Sequence, residues 1–412
     1  MSAALRHALL AALLLLGAPA ARAADSCVDC HRRSDEARLR DPVAGFAHDI
    51  HAERGLSCAA CHGGDPADPE ATAMDPDKGF KGAPKRSEIA TLCASCHANV
   101  AFMKRYNPRP FIFSVAEWQT SVHARLAAKG DAKVATCTSC HGVHGIRPPR
   151  DPASPVFKAN VPRTCARCHN PDYLRGYGIP TNQFALYARS VHGVALLEKG
   201  DASAPACNDC HGNHGAAPPG LKDVTLVCGT CHGRESELFE GSRMKAGLDA
   251  MGKPGCVTCH GNHGVQHPTD AMLSAGPGGK CAGCHKPGTV CEHGTDAIVA
   301  GFRGLQTSTA RADSLLKVAE VLGMESSPGR ADLKEATDRL VGVRAGLHSF
   351  DPKTIGGVLA EGADFARKAT DYGREALRDW RNRRVGMALS LVVILALIGL
   401  VVAKIRQMEA RG

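Results

Sequence analysis

Two apolar runs and several short amphipathic stretches divide the chain. Val385 to Ala403 (VGMALSLVVILALIGLVVA) is uncharged and close to the roughly 20 residues that a bilayer core requires, so it predicts one transmembrane helix. Near the start, Ala8 to Leu16 is apolar but shorter, with Arg6 before it and Ala21-Arg22-Ala23 after it. That pattern reads as a secretory signal peptide over residues 1–23. Residues 296–323 and 329–349 carry apolar residues at helical spacing, the second stretch opened by Ser327 as N-cap with Pro328 behind it. Asp351-Pro352 repeats that start signal and predicts a third helix running through Trp380 into the apolar run. Earlier helices are short, for example Glu117 to Lys129 and Leu186 to Lys199. Strand alternation is nearly absent, and turns such as Arg147-Pro-Pro-Arg150 intervene. The expected class is mainly α with extensive irregular loops.

Composition changes this picture in one respect. Only 4% of residues are aromatic while Gly numbers 44 and Pro 24, too little bulk for a conventional core in a chain this long. Something other than side chains has to fill the interior.

The cysteines supply a candidate. Nine Cys-x-x-Cys-His motifs are present: Cys27/Cys30/His31, Cys58/Cys61/His62, Cys93/Cys96/His97, Cys137/Cys140/His141, Cys165/Cys168/His169, Cys207/Cys210/His211, Cys228/Cys231/His232, Cys256/Cys259/His260 and Cys281/Cys284/His285. This is the attachment signature of c-type haem, in which two thiols bond the porphyrin and the next histidine becomes the proximal iron ligand. Zinc held by four thiolates is the competing reading, but zinc does not require histidine after every second cysteine. Nine covalent haem c groups are therefore expected, and they would form the missing core. Removing Arg6 and Arg22 takes the net charge from +9 to +7; eighteen propionates and nine ferric porphyrins would then bring the oxidised protein to about −2, which makes many Lys and Arg residues propionate partners. Nothing else favours nucleic acid.

After the first, the motifs group in pairs, an internal repeat. Its fullest form is Ser121-Val-His123 … CTSCHGVHG and Ser190-Val-His192 … CNDCHGNHG; a third copy reads Ser242-Arg-Met244 … CVTCHGNHG. Ten histidines remain as distal candidates once the nine proximal ones and His7 are removed. His144, His214 and His263 follow a proximal histidine too closely to reach the far face of the same porphyrin, so each is assigned to a neighbouring haem. His123 and His192 precede motifs on predicted helices and are the next candidates. At least one of His48 and His51 should ligate. His293, His267 and His348, the last isolated in a predicted helix, are either ligands or structural. Met244 stands where the other copies have histidine and is either a ligand, which would raise that haem's potential, or a core methionine. Cys291 lies outside any motif and reads as an unreacted buried thiol.

On these motifs, residues 27 to 285 resemble the multihaem cytochromes c with doubled CxxCH motifs, related to class III cytochromes c. The resemblance implies closely packed haems acting as an electron wire, and attachment of haem outside the energy-conserving membrane. The expected layout is a signal peptide (1–23), a nine-haem domain (24–295), a helical stalk (296–384), a transmembrane helix (385–403) and a cytoplasmic tail (404–412). The haem domain would lie in the periplasm, held at the inner membrane. The first functional expectation is electron transfer between an inner-membrane quinol-oxidising partner, or other respiratory complex subunits, and periplasmic redox proteins. The alternatives are a reductase of small nitrogen or sulfur oxyanions, which needs one haem with an open distal side, and a structural subunit of a respiratory complex.

Overall fold

A computed structural model describes residues 25–110, 112–215, 224–286 and 288–411. The expected signal peptide lies outside them. The fold is helical, with no strand among the described residues, and comprises two compact units. The first holds the described residues through Val227 together with Asn262–Gln266; the second holds Cys228–Gly261 and the chain from His267 onward.

The first unit consists of short helices joined by turns. Three of them recur in the argument: α1 (Ile50–Glu53), α2 (Val122–Ala128) and α3 (Val191–Leu197). The helices expected over Glu117 to Lys129 and Leu186 to Lys199 are each broken in two, at Ser121 and Ser190. The reason is local. Each serine is extended, and its hydroxyl accepts the N–H three residues on, from Ala124 or Gly193, starting a new helix with histidine at its second position. Its buried apolar side chains are few: Tyr187 clusters with Leu196, Ala204 and Ala206, and Ala52, Ala73, Ala124 and Val134 are also buried.

In the second unit, α4 (Arg243–Ala250) precedes three long helices, α5 (Val290–Val321), α6 (Ser327–Gly346) and α7 (Pro352–Glu409). Buried positions on α5 step by four and three residues, Ile298, Phe302, Leu305, Thr309, Ala312, Leu316 and Ala319. On α7 the same steps run through Ile355, Leu359, Gly362, Ala366, Ala369, Gly373 and Ala376, the seam of a coiled-coil bundle. Small residues let the helices close up: a Cβ on Gly362 would sit 2.7 Å from Leu305 Cδ2. The α6 N-cap is Ser326, one residue before the expected Ser327. The Ser326 hydroxyl donates to Glu320 at 2.6 Å and the Ser327 N–H to Glu325 at 2.8 Å, which starts the turn early. Asp351 caps α7 as expected, accepting from the Lys353 N–H.

Beyond Trp380, α7 leaves the bundle and every described residue is exposed; Leu395, at mid-span, is 58% exposed. An 18-residue window there has a mean hydropathy of 2.9, so the helix is long and apolar enough to cross a membrane. Nineteen residues rise about 29 Å, the thickness of a hydrocarbon core.

Candidate haem-ligand network

Each well-formed CxxCH motif is a helical turn, as in Cys137–His141 and Cys207–His211. One turn places residues three and four apart on one face, so both thiols and the following imidazole point to the same side. In four motifs a glycine then stops the helix: Gly63, Gly142, Gly212 and Gly261 have φ of 70°, 83°, 81° and 73° with ψ near ±170°, a conformation open to glycine alone. The chain is thereby thrown away from its own motif. His144, itself at φ 51°, His214 and His263 follow on these turns.

The second cysteines of the motifs are equivalent by spacing but not by environment. Cys30, Cys61, Cys231 and Cys284 are exposed, whereas Cys96, Cys140, Cys168, Cys210 and Cys259 are half-buried. The exposed ones belong to the first two motifs and to the second motif of each of the last two repeats. The first cysteines, Cys27, Cys58, Cys93, Cys137, Cys165, Cys207, Cys228, Cys256 and Cys281, are half-buried throughout, and none of the eighteen is in a disulfide. A thiol so placed can still be reached by a porphyrin edge, as attachment requires.

The histidines meet in pairs. The ring of His62 faces His144 with centroids 5.9 Å apart, His141 faces His214 at 6.1 Å, His211 faces His263 at 5.9 Å, and His260 faces His348 at 6.1 Å. Two further pairs are His51 with His97 at 6.0 Å and His123 with His169 at 6.3 Å. Two imidazoles ligating one iron from opposite sides, each through a bond of about 2 Å, would hold their centroids about 6 Å apart. Every pair joins a proximal histidine to one outside its motif, and the thiols of that motif flank it. Among the described residues no three His, Cys, Asp or Glu side chains converge on one point, as zinc would need. The donor set therefore fits haem with two axial histidines.

The pairs fall into two geometries. Where the facing histidine comes from a GxHG turn or from His348, the ring planes lie 7° to 25° apart. Where it sits at the second position of a short helix, as His51 in α1 and His123 in α2 do, the planes are 86° and 76° apart.

Desolvation favours the neutral form of eight of these imidazoles. It holds His97, His123, His141, His144, His169, His260 and His263 below the usual histidine value, and a nearby imidazole adds to the effect at each; His211 is lowered by burial alone. A neutral ring keeps the lone pair that a metal requires. Hydrogen bonds orient several rings so that Nε2 is left free: His51 Nδ1 on Asp49 Oδ1 at 2.8 Å, His62 Nδ1 on the Gly82 carbonyl at 2.8 Å, and His348 Nδ1 on the Ala345 carbonyl at 3.0 Å.

Asp49 does more than orient His51. It is 2% exposed, caps α1 through the His51 N–H and accepts the Ile146 N–H at 2.8 Å. Burial alone would raise its pKa, but these hydrogen bonds outweigh that and hold the carboxyl below its ordinary range. The Ile146 carbonyl in turn accepts the Ile50 N–H at 2.8 Å. In the third repeat the Val191 N–H donates in the same way to the Val265 carbonyl at 2.9 Å, so the GxHG turn of one repeat docks on the ligand helix of the one before. Sequence reasoning missed Asp49. The signal was its position two residues before a histidine, the position that Ser121 and Ser190 hold in the next two repeats.

The motifs also approach one another. Cys137 hydrogen-bonds and raises Cys93, Cys207 does so to Cys165, and Cys228 to Cys256, with burial adding in each case. Burial pushes Cys140 up to about 11, with Cys165 and then Cys168 of the next motif as further causes. Tyr187, in the small apolar cluster, is raised by burial and then by Cys207, Asp209 and Cys210, which places both thiols of that motif beside the cluster. Cys58 is pushed up to about 12 by burial and then by Asp25 and Cys27, and Asp25 accepts the backbone N–H groups of both cysteines. Burial also raises Cys61, with Cys96 as the next cause. These motifs are thus neighbours in space within each unit. Cys291 is half-buried and not fully buried as expected; it lies beside Cys281, which burial and then Cys291 raise to about 11.

The other expected ligands differ in exposure. His192 is half-buried on α3, His48, His267 and His293 are exposed, and Met244 is half-buried on α4. His31 and His285 are half-buried and His232 is exposed.

Residues 50–170 match the cytochrome c3 family. The match spans four CxxCH motifs and the pairs His51–His97, His62–His144 and His123–His169. It supports a multihaem c-type cytochrome with covalently bound haem c, whose chemistry is electron transfer. No curated protein and no solved structure is significantly similar to the chain.

Proposed function

We propose that the chain carries nine covalent haem c groups and conducts electrons through them while α7 anchors it in the inner membrane. The haem domain faces the periplasm, and electrons pass between a quinol-oxidising or other respiratory partner in the membrane and periplasmic redox proteins. The observation that carries this reading is the set of six imidazole pairs at 5.9–6.3 Å, each tying one motif to another part of the chain. When bound, each haem iron takes up and releases one electron. The chain's own part is to hold both axial positions with neutral imidazole, so that little rearrangement accompanies a change of charge. It also keeps successive motifs adjacent, as the contacts between Cys93 and Cys137 and between Cys165 and Cys207 require.

The test is to purify the full chain from membranes in detergent, weigh it intact and record the EPR spectrum of the oxidised form. Nine haem increments and low-spin iron throughout are expected. Fewer increments, or a high-spin signal amounting to a whole haem in the wild type, would count against a pure conduit and favour a reductase site. Fusing a periplasm-dependent reporter before Val385 should give activity, whereas the same reporter after Arg411 should not.

A further inference from the structure

The repeats obey a rule that the pairs make visible. In the first, His51 on α1 faces His97, the second motif of its own repeat; in the next, His123 on α2 faces His169, again the second motif. In both, the ligand helix serves the later of its two motifs. The GxHG histidines serve the first motif of the repeat before: His144 faces His62, His214 faces His141 and His263 faces His211.

The last repeat, Ser242 to His285, keeps the same framework with one donor changed. Its ligand helix is α4, started by a buried cap as in the other three: Asp49, Ser121, Ser190 and Ser242 are 2%, 2%, 1% and 7% exposed. The Ser242 hydroxyl accepts the Lys245 N–H at 3.1 Å and donates to the Phe239 carbonyl at 2.7 Å, as the Ser190 hydroxyl does with Gly193 and Tyr187. The second helical position, which holds His51, His123 and His192 elsewhere, is Met244. Within the repeat the motifs remain neighbours, because Cys284 is among the groups that raise Cys259 after burial. His348 is already engaged opposite His260.

We infer that the thioether sulfur of Met244 is the distal ligand of the iron attached at Cys281 and Cys284, opposite His285. The inference rests on the haem reading above. A sulfur ligand in place of an imidazole favours ferrous iron and raises the potential. The motif that directly precedes the helical bundle then holds the highest-potential haem, where the first electrons entering the protein come to rest.

The test uses the full haem-loaded chain in detergent. Oxidised wild type should show the near-infrared charge-transfer band from thioether sulfur to ferric iron, at the intensity of one haem. M244A should abolish the band and turn one haem high-spin. M244H should abolish it, leave every haem low-spin and lower the highest midpoint potential in a redox titration; H293A should change neither band nor potential. Absence of the band in wild type, its survival in M244A, or its loss in H293A would overturn the assignment. Intact mass separates this from failure of the haem reading, since haem increments at all nine motifs without the band refute only the ligand.

Discussion

His141 and His214 lie in different repeats, yet their rings face each other 6.1 Å apart and within 7° of parallel. The His214 Nδ1 atom is buried without a hydrogen-bond partner, and Glu117 Oε2, at 3.7 Å, is beyond hydrogen-bond reach. Replacing His214 by alanine should leave the haem at Cys137 and Cys140 attached, since both thioether bonds and His141 remain, but open its distal side. One low-spin haem should become high-spin by EPR with the intact mass otherwise unchanged. An unaltered spectrum would mean that His214 is not a ligand.

The two ring geometries predict two classes of low-spin signal. Nearly parallel imidazoles split the iron π orbitals and give a rhombic spectrum. Rings at 86° and 76°, as in His51–His97 and His123–His169, leave those orbitals nearly degenerate and give a strongly anisotropic signal with one very large g value. Oxidised protein should show both kinds, and H123A should remove intensity only from the anisotropic one. A single rhombic class would contradict the perpendicular pairs.

Asp49 holds three donors at once, the His51 N–H, His51 Nδ1 and the Ile146 N–H. D49A strands these groups, a loss of about 1–3 kcal/mol for a buried unsatisfied partner. The expected outcome is a lower thermal midpoint together with a changed signal from the perpendicular class, because His51 loses its orienting bond. D49N, which keeps an acceptor oxygen, should recover most of the stability. Equal damage from both variants would show that charge and not hydrogen bonding is what Asp49 supplies.

The bundle should be acid-sensitive through Glu320. Hydrogen bonds from Arg330 and then Ser326 lower this carboxyl from 4.5 to about 2. A depressed folded value means that the contribution to stability is complete above the unfolded value and disappears as pH falls from about 4.5 through about 2. Thermal melting followed by far-UV circular dichroism should show wild type losing its advantage over E320Q across that interval. Parallel pH profiles would mean that the Arg330 contact adds nothing to the bundle.

What could be read from the chain alone is what depends on short spacing. Cys-x-x-Cys-His is a single helical turn, so the nine attachment motifs and their proximal histidines are marked by sequence. Likewise the four-and-three steps from Ile298 to Ala319 are enough to define a bundle seam, and nineteen uncharged residues are enough to define a helix long and apolar enough to cross a bilayer. Spacing says nothing of how deeply each motif is packed, so that Cys30 and Cys231 lie exposed while Cys168 and Cys210 are half-buried is a property of the fold. Which imidazole crosses to which motif depends on chain direction after each turn, and that only the tertiary structure decided. Glycine at positive φ after His141 turns His144 away from its own motif toward His62, and the caps at Ser121 and Asp49 aim His123 and His51 at the later motif of their repeat. His348 carries no local mark at all. It faces His260 because packing of α5, α6 and α7 brings the end of α6 there, and such a partner is set by the fold and not by spacing along the chain.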